Sequence, residues 1–476
     1  MRAVIDDDAA AASVRHAWSA SDRYVPRTFV QPLQRFLDTE AAGGVVLIVA
    51  ALAAIVWANG PFGTSYEAFW GTPLRVELGG LLHIDHLDLR AWVNDALMAF
   101  FFFVAGLEIK REVVHGDLRD PKAAALPAIA AIGGMIVPAM IYLAFNRSGD
   151  GGGGWGIPMA TDIAFAVGVL SLLGDRVPSG AKIFLLTLAI ADDIGAIVVI
   201  AIFYTDTLAP GWLAGAVAGL VVMALLRNLD VRSLAPFIAL GAWVWLALLE
   251  SGVHATLAGV SVALLTPAWS FYDPRRFASD ARRLVDEVEA PFADDILTDD
   301  ELDRTESALA ELSRLTTETR SPLERLESGL APWTAFVIVP TFALANAGVP
   351  FSADALADAV TNPVTAGVAL GLVLGKPIGI TLATLIAVRL GVGVLPRGTG
   401  WSHVVGLGMT GGIGFTVALF VTGLSFDDPV LTDAAKMGIF AASIVSGLVG
   451  LAMLRSAAAA ATANAESGAD AALASA

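Results

Sequence analysis

Four ionisable side chains stand inside long apolar runs of this chain: Asp162, the adjacent pair Asp192 and Asp193, and Lys376. A charge placed in hydrocarbon costs at least about 2.5 kcal/mol on insertion scales, so such residues face partners or water-filled cavities and are functional candidates. The pair lies between Leu185-Leu186-Thr187-Leu188-Ala189-Ile190-Ala191 and Ile194-Gly195-Ala196-Ile197-Val198-Val199-Ile200. Neighbours on a helix point about 100° apart, so one acid can meet a partner while the other faces an aqueous cavity. Burial and a second acid favour a neutral carboxyl and a nearby cation favours the ionised one, which makes the pair a proton-linked switch. Deprotonated, Thr161, Asp162, Asp192, Asp193 and unwound backbone carbonyls offer only hard oxygen ligands, suited to sodium or lithium. The bland alternative is a set of internal salt bridges. Lys376, between Gly371-Leu372-Val373-Leu374-Gly375 and Pro377, can compensate helix ends or pair with Asp192 or Asp193, with or without moving protons.

The surrounding elements are helices in lipid. Of 476 residues 56% are hydrophobic and 16% charged, with a mean hydropathy of +0.69; a soluble chain is about a quarter charged. Apolar segments long enough to span recur twelve times, near 41–58, 92–109, 123–145, 155–173, 183–203, 211–226, 233–249, 252–270, 331–349, 363–387, 401–424 and 434–454. The fold class is an all-α polytopic membrane protein. Gly, Pro and Thr in Trp155-Gly156-Ile157-Pro158-Met159-Ala160-Thr161-Asp162 argue for a broken fourth span. The glycines of Gly406-Leu407-Gly408-Met409-Thr410-Gly411-Gly412-Ile413-Gly414-Phe415-Thr416 mean close packing or unwinding, and their position favours unwinding. Spans 3–5 and 10–12 then each have an interrupted middle helix, the pattern of inverted-topology repeats with two discontinuous crossing helices and a site at mid-membrane.

The formal charge of −17 is concentrated, because residues 273–327 carry sixteen acidic and eight basic side chains. With 29 Lys plus Arg there is no basic stripe for nucleic acid. If the N-terminus is cytoplasmic, inside segments hold 24 basic residues and outside segments only Arg75, Arg90, Arg147 and Lys436, which sets both termini inside. Residues 1–40 read as a polar cytoplasmic segment without the pattern of a cleavable signal, 41–454 as the membrane domain, and 455–476 as an Ala-rich cytoplasmic tail, either disordered or a fraying helix. The charged stretch 272–330 has helical apolar spacing at Leu302, Leu309, Leu312 and Leu315 and reads as an amphipathic helix or as disorder. Outside, 60–90 reads as a short hairpin.

The chain resembles the NhaA family of sodium/proton antiporters from about Leu37 to Leu454. The likeness is carried by Asn94-Asp95-Ala96-Leu97-Met98-Ala99-Phe100-Phe101-Phe102, Gly106-Leu107-Glu108-Ile109-Lys110-Arg111-Glu112, Ala160-Thr161-Asp162-Ile163-Ala164-Phe165-Ala166, Ala191-Asp192-Asp193-Ile194-Gly195-Ala196, Ser251-Gly252-Val253-His254-Ala255-Thr256-Leu257-Ala258-Gly259, Ala343-Leu344-Ala345-Asn346-Ala347-Gly348-Val349 and Gly375-Lys376-Pro377. The resemblance implies that Asp193 binds the ion, that Asp192 pairs with Lys376 and exchanges protons, and that Asp162 and Thr161 mark the crossing of two broken helices. It also implies electrogenic export of one sodium for two protons, pH homeostasis, the bacterial cytoplasmic membrane, and a homodimer held partly by an outside hairpin. No cofactor is implied. Glu108, Lys110, Arg111 and Glu112 become the rim of a cytoplasmic ion funnel with pH-sensing residues, against the plain reading of an interfacial charge cluster. Arg325 and Glu327 match a regulatory stretch, although Glu324 stands where a lysine is usual and Ser328 and Ala331 where histidines occur. His254 is a pH-sensor candidate or a hydrogen-bonded structural histidine, and Asp95 is a polar residue of the outer side or a helix-start acid.

Three other readings compete with antiport. A sodium-coupled solute symporter on a similar fold would need a larger solute cavity and no adjacent acid pair. An intramembrane aspartyl protease needs its two acids on separate helices sharing one proton. A channel would show no obligatory counter-movement. Absence of Cys removes thiolate metal sites, disulfides and Cys nucleophiles.

Overall fold

A computed structural model of the chain describes residues 42–474 except 79–81, 86, 206–207, 232 and 290–297. The polar segment 1–40 therefore lies outside the described residues, as does the Gly79-Gly80 turn of the outer hairpin. Hydrocarbon offers no hydrogen-bond partner to a bare peptide group, so a chain this apolar crosses it as helices, whose bonds close within the segment. Among the described residues nine helices are long and apolar enough to span: Ala42–Asn59, Leu89–Val114, Pro121–Phe145, Ser179–Phe203, Pro210–Asn228, Leu234–Ser251, Pro322–Asn346, Pro363–Arg389 and Pro429–Ala459. Two further spans are bent pairs, Asp150–Met159 with Ile163–Ser171 at 40° and Trp401–Thr410 with Phe415–Ser425 at 49°. Large apolar side chains such as Val56, Ile238 and Leu448 remain exposed on the outer helix faces, where lipid and not water is their solvent.

These elements match eleven of the twelve expected segments, and the eighth has a shorter regular helix than expected. Within 252–270 the regular helix is Leu257–Leu265, nine residues or about 13.5 Å long, yet His254 lies at the Tyr204 end of the acid-pair helix and Thr266 at the Lys110 end of the second span, so the segment still passes from one face to the other. Gly252, at φ 81°, ends the preceding helix in a left-handed turn that a side chain would strain. Ala255, Ala258 and Ala263 are buried against neighbouring helices.

Three helices position the central charges: Pro121–Phe145, the acid-pair helix Ser179–Phe203, and the lysine helix Pro363–Arg389. The first and third cross at Gly133 and Gly379. A Cβ on Gly379 would lie 2.1 Å from the Gly133 carbonyl oxygen, so the backbones approach as closely as they do only because both residues lack one. The lysine helix widens into a π turn over Gly371–Gly375, immediately before Lys376. Pro377 accounts for it: it has no N–H to give Val373, and its ring crowds that carbonyl.

On one face Val76–Leu78 and Leu82–Ile84 form the expected antiparallel hairpin, pairing Val76 with Ile84 and Glu77 with His83. The described residues of 272–330 are largely helical, with Pro274–Glu289 and Asp299–Thr319 folded on each other through Leu284, Ala308 and Leu315. Arg325 and Glu327 belong to the next spanning helix, whose first turn is capped by Ser321 accepting from the Glu324 N–H at 3.2 Å. The last helix runs unbroken from Pro429 to Ala474.

Candidate functional site

The two broken spans meet back to back, and one carboxylate joins them. Asp162 caps the half-helix Ile163–Ser171, its Oδ1 accepting from the Phe165 N–H at 3.1 Å. Its Oδ2 accepts from the Thr416 N–H at 3.0 Å and the Thr416 hydroxyl at 2.5 Å, in the first turn of Phe415–Ser425. That second half-helix starts at Gly414, which has no side chain to cap it, so Asp162 supplies the acceptor that local sequence does not. In the other direction the Asp162 N–H donates to the Ile413 carbonyl at 2.6 Å and the Thr161 hydroxyl donates to the Gly411 carbonyl at 2.8 Å. Backbone groups freed by the two breaks thus satisfy each other across the crossing, which is what makes irregular backbone tolerable at this depth. Thr416 is a residue that sequence reasoning left without a role; its signal was a hydroxyl two positions after a glycine-rich break.

The acid-pair helix and the lysine helix close on this crossing. Lys376 Nζ donates to Asp192 Oδ2 at 2.5 Å, and both side chains are fully buried. Asp192 sits beside Thr161. Asp193, one position on, points elsewhere, toward the combined field of Asp192, Glu108 and Asp162 with Lys376 as the opposing charge. Its Oδ1 is buried and has no hydrogen-bond partner, as is Oδ1 of Asp192. A buried carboxylate oxygen without a protein donor is satisfied by a cation, a proton or a water. Asp162, Thr161, Asp192, Asp193 and Lys376 therefore form one cluster, with three carboxylates against one ammonium.

The remaining candidates divide. Arg111 pairs with Glu327 and, at 3.2 Å, with Glu112, and Glu108 lies in the field of these three. This joins the end of the second span to the start of the ninth. Lys110 stands apart, donating to the carbonyls of Leu264 and Thr266 at the end of the short helix Leu257–Leu265, a favourable place for a cation. Arg325 is turned away from Glu327 and lines a space against the Asp299–Thr319 helix. His254 Nε2 contacts the Tyr204 carbonyl at the far end of the acid-pair helix, eleven residues or about 16 Å from Asp193. Asp95 sits in a π turn near the start of the second span, its carbonyl accepting from the Trp245 indole at 2.9 Å. Neither reaches the aspartates. Among the described residues no group of three or more His, Cys, Asp and Glu is arranged to hold a metal.

Residues 34–454 match the family model described as Na+/H+ antiporter 1. The chain is 47% identical over 424 residues to the Na(+)/H(+) antiporter NhaA of Oleidesulfovibrio alaskensis, covering 89% of this chain and 93% of that one. A protein of the same name from Rhodopirellula baltica is 47% identical over 426 residues, 90% and 94% of the two chains. The Na(+)/H(+) antiporter NhaA 2 of Sorangium cellulosum is 43% identical over 433 residues, 91% of each.

Proposed function

The chain belongs to the Na+/H+ antiporter 1 family and is a sodium/proton antiporter, and from that premise we propose how its central cluster performs the exchange. Sodium or lithium and protons compete for the same carboxylates. Asp193, with Asp162, Thr161 and carbonyls freed by the broken helices, receives the dehydrated ion. Asp192 and Lys376 form the coupled pair that exchanges a proton as the ion comes and goes. Loading sodium expels protons, loading protons expels sodium, and access alternates as one bundle rocks against the other about the fixed crossing. Two protons in for one sodium out leave one net charge moved inward per cycle, so exchange is electrogenic and driven by the proton-motive force. The observation that supports this reading is that Oδ1 of Asp193 and Oδ1 of Asp192 are both buried without a hydrogen-bond partner, next to the buried Asp192–Lys376 contact.

The excess of Lys and Arg on one set of loops supports an orientation with both termini in the cytoplasm of a bacterial cell and the strand hairpin outside. Arg111, Glu112, Glu327 and Glu108 then form the inner funnel that gathers cations and responds to pH. The protein works as a homodimer in which the outer hairpin contributes to the contact. In liposomes, sodium jumps across a pH series should move lumenal pH and membrane voltage together. Proton movement indifferent to sodium would overturn exchange, and exchange without voltage would overturn the unequal ratio.

A further inference from the structure

In the acidic insertion the helix Asp299–Thr319 packs on Pro274–Glu289 by one face, through Ala308 and Leu315. Near its end Ser313 and Thr317 share a cavity with Arg325 of the ninth span. At helical spacing the Ser313 side runs back through Leu309, Glu306 and Leu302. Nothing among the described residues covers that part of it: Leu302 and Leu309 are each 50% exposed, and Glu306 is exposed. This outer end of the hairpin carries the exposed acids Asp286, Glu289, Asp300, Asp303 and Glu306, none with an ion pair among the described residues, and Arg304 as an opposing charge. An apolar ridge edged by free carboxylates suits a segment that carries aromatic rings and guanidiniums together, because each guanidinium offers a carboxylate a planar fork. The chain itself holds one. Residues 13–30 include Arg15, Arg23 and Arg27 with Trp18, Tyr24 and Phe29, against the single acid Asp22, and they precede the stretch matched by the family model.

That segment is also within reach. A Cβ on Gly43, at the start of the first span, would lie 3.3 Å from the Ala335 Cβ of the ninth. At the other end of the same two spans Asn59 Nδ2 donates to the Val349 carbonyl at 2.8 Å, so they run side by side in one direction. From Ala335 back to Pro322, where the ninth-span helix begins beside the insertion, is thirteen residues or about 20 Å of helix. Residues 31–41, fully extended, cover up to about 36 Å, enough to bring residue 30 past Pro322 and onto the hairpin.

We propose that residues 13–30 dock on the Leu302–Leu309 ridge of the same chain, their aromatic rings covering the leucines and their arginines pairing with Asp303 and Glu306. The clasp joins the entries of the first and ninth spans. Because the chain has no Cys, introduced pairs report proximity directly. In the full chain reconstituted in nanodiscs, a short bis-maleimide should join Ser21→Cys to Ala310→Cys within one chain severalfold faster than Ser21→Cys to Ser279→Cys. Ser279 is exposed on the side of its helix away from the packed line of Phe277, Ala281 and Leu284. Reversing charge on the segment, with Arg23→Glu and Arg27→Glu, should slow the first reaction severalfold, as should Asp303→Lys with Glu306→Lys, and both sets combined should restore it. Salt near 1 M, which screens charges beyond about 3 Å, should slow it as well. The arginine changes leave the hairpin intact, so the test stands even where the lysine changes disturb folding. Equal rates for the Ala310 and Ser279 pairs, rates indifferent to both reversals, or adducts only between two chains would overturn the docking. So would a fluorophore on Ser21→Cys that spin-labelled lipid quenches equally with and without the hairpin lysines, which assigns the segment to the bilayer surface.

Discussion

Removing one member of the Lys376–Asp192 pair strands the other in a site with no exposure, a loss of about 3–5 kcal/mol in buried pairs. Lys376→Ala should accordingly lower the thermal unfolding temperature sharply, and the double change Asp192→Asn with Lys376→Met should restore most of it. Currents recorded on the restored double variant separate two roles: a lysine that only balances charge leaves electrogenic exchange intact, and one that takes part in proton exchange does not. Asp193 behaves in the opposite way. Its Oδ1 has no protein donor to lose, so Asp193→Asn should abolish sodium-dependent proton movement in everted vesicles while leaving unfolding unchanged or slightly raised. Thr416→Val deletes the hydroxyl that Asp162 accepts from and leaves a buried carboxylate short of one donor, at about 1–3 kcal/mol. Reduced thermal stability together with a raised half-saturating sodium concentration is the expected result; an unchanged variant would remove Thr416 from the site.

At the scale of elements the crossing is held by reciprocal capping and by close backbone approach. Gly379→Val would put a branched side chain where a Cβ already comes 2.1 Å from the Gly133 carbonyl, forcing two packed helices apart at a cost of about 1–3 kcal/mol or more. Lys376 is three residues away on the same helix, so transport should fall along with stability, and Gly329→Ala, at a position where an added Cβ meets nothing within 4 Å, serves as the control. The outer elements are tied by Tyr66, whose hydroxyl donates to the Ala345 carbonyl at 2.8 Å and accepts from the Gly348 N–H at 3.1 Å. Burial lifts this phenol from 10.0 to about 12. A raised acid stabilises the fold below its unfolded value and loses that contribution as pH climbs through the folded one, so the Tyr66 tie persists at every pH where the cell lives. Much of this was legible from residue types: Gly, Pro and Thr in the fourth span and the glycine run in the eleventh both mark breaks. The shortness of the regular helix in the eighth segment, Leu257–Leu265, was not, because hydropathy reports apolar surroundings and not how many residues are helical.

For the whole molecule, the acidic insertion and the membrane orientation make separate claims. Single cysteines introduced into this cysteine-free chain at Arg283 and at Glu77 should react with an impermeant maleimide from opposite faces, Glu77 in intact cells and Arg283 only in everted vesicles. Labelling of both from one face would reverse the orientation read from the loop charges. The sequence by itself determined that this chain is helical and membrane-spanning, that four charges stand at depth, and that two spans are interrupted, because each of these follows from residue type and local order along the chain. That Asp162 caps a half-helix some 250 positions away, that Arg325 turns from Glu327, and that His254 and Asp95 lie off the central cluster were decided only by the tertiary structure. Those facts depend on which helix faces are brought together, and a side chain's partner across a crossing leaves no trace in its own neighbourhood of sequence.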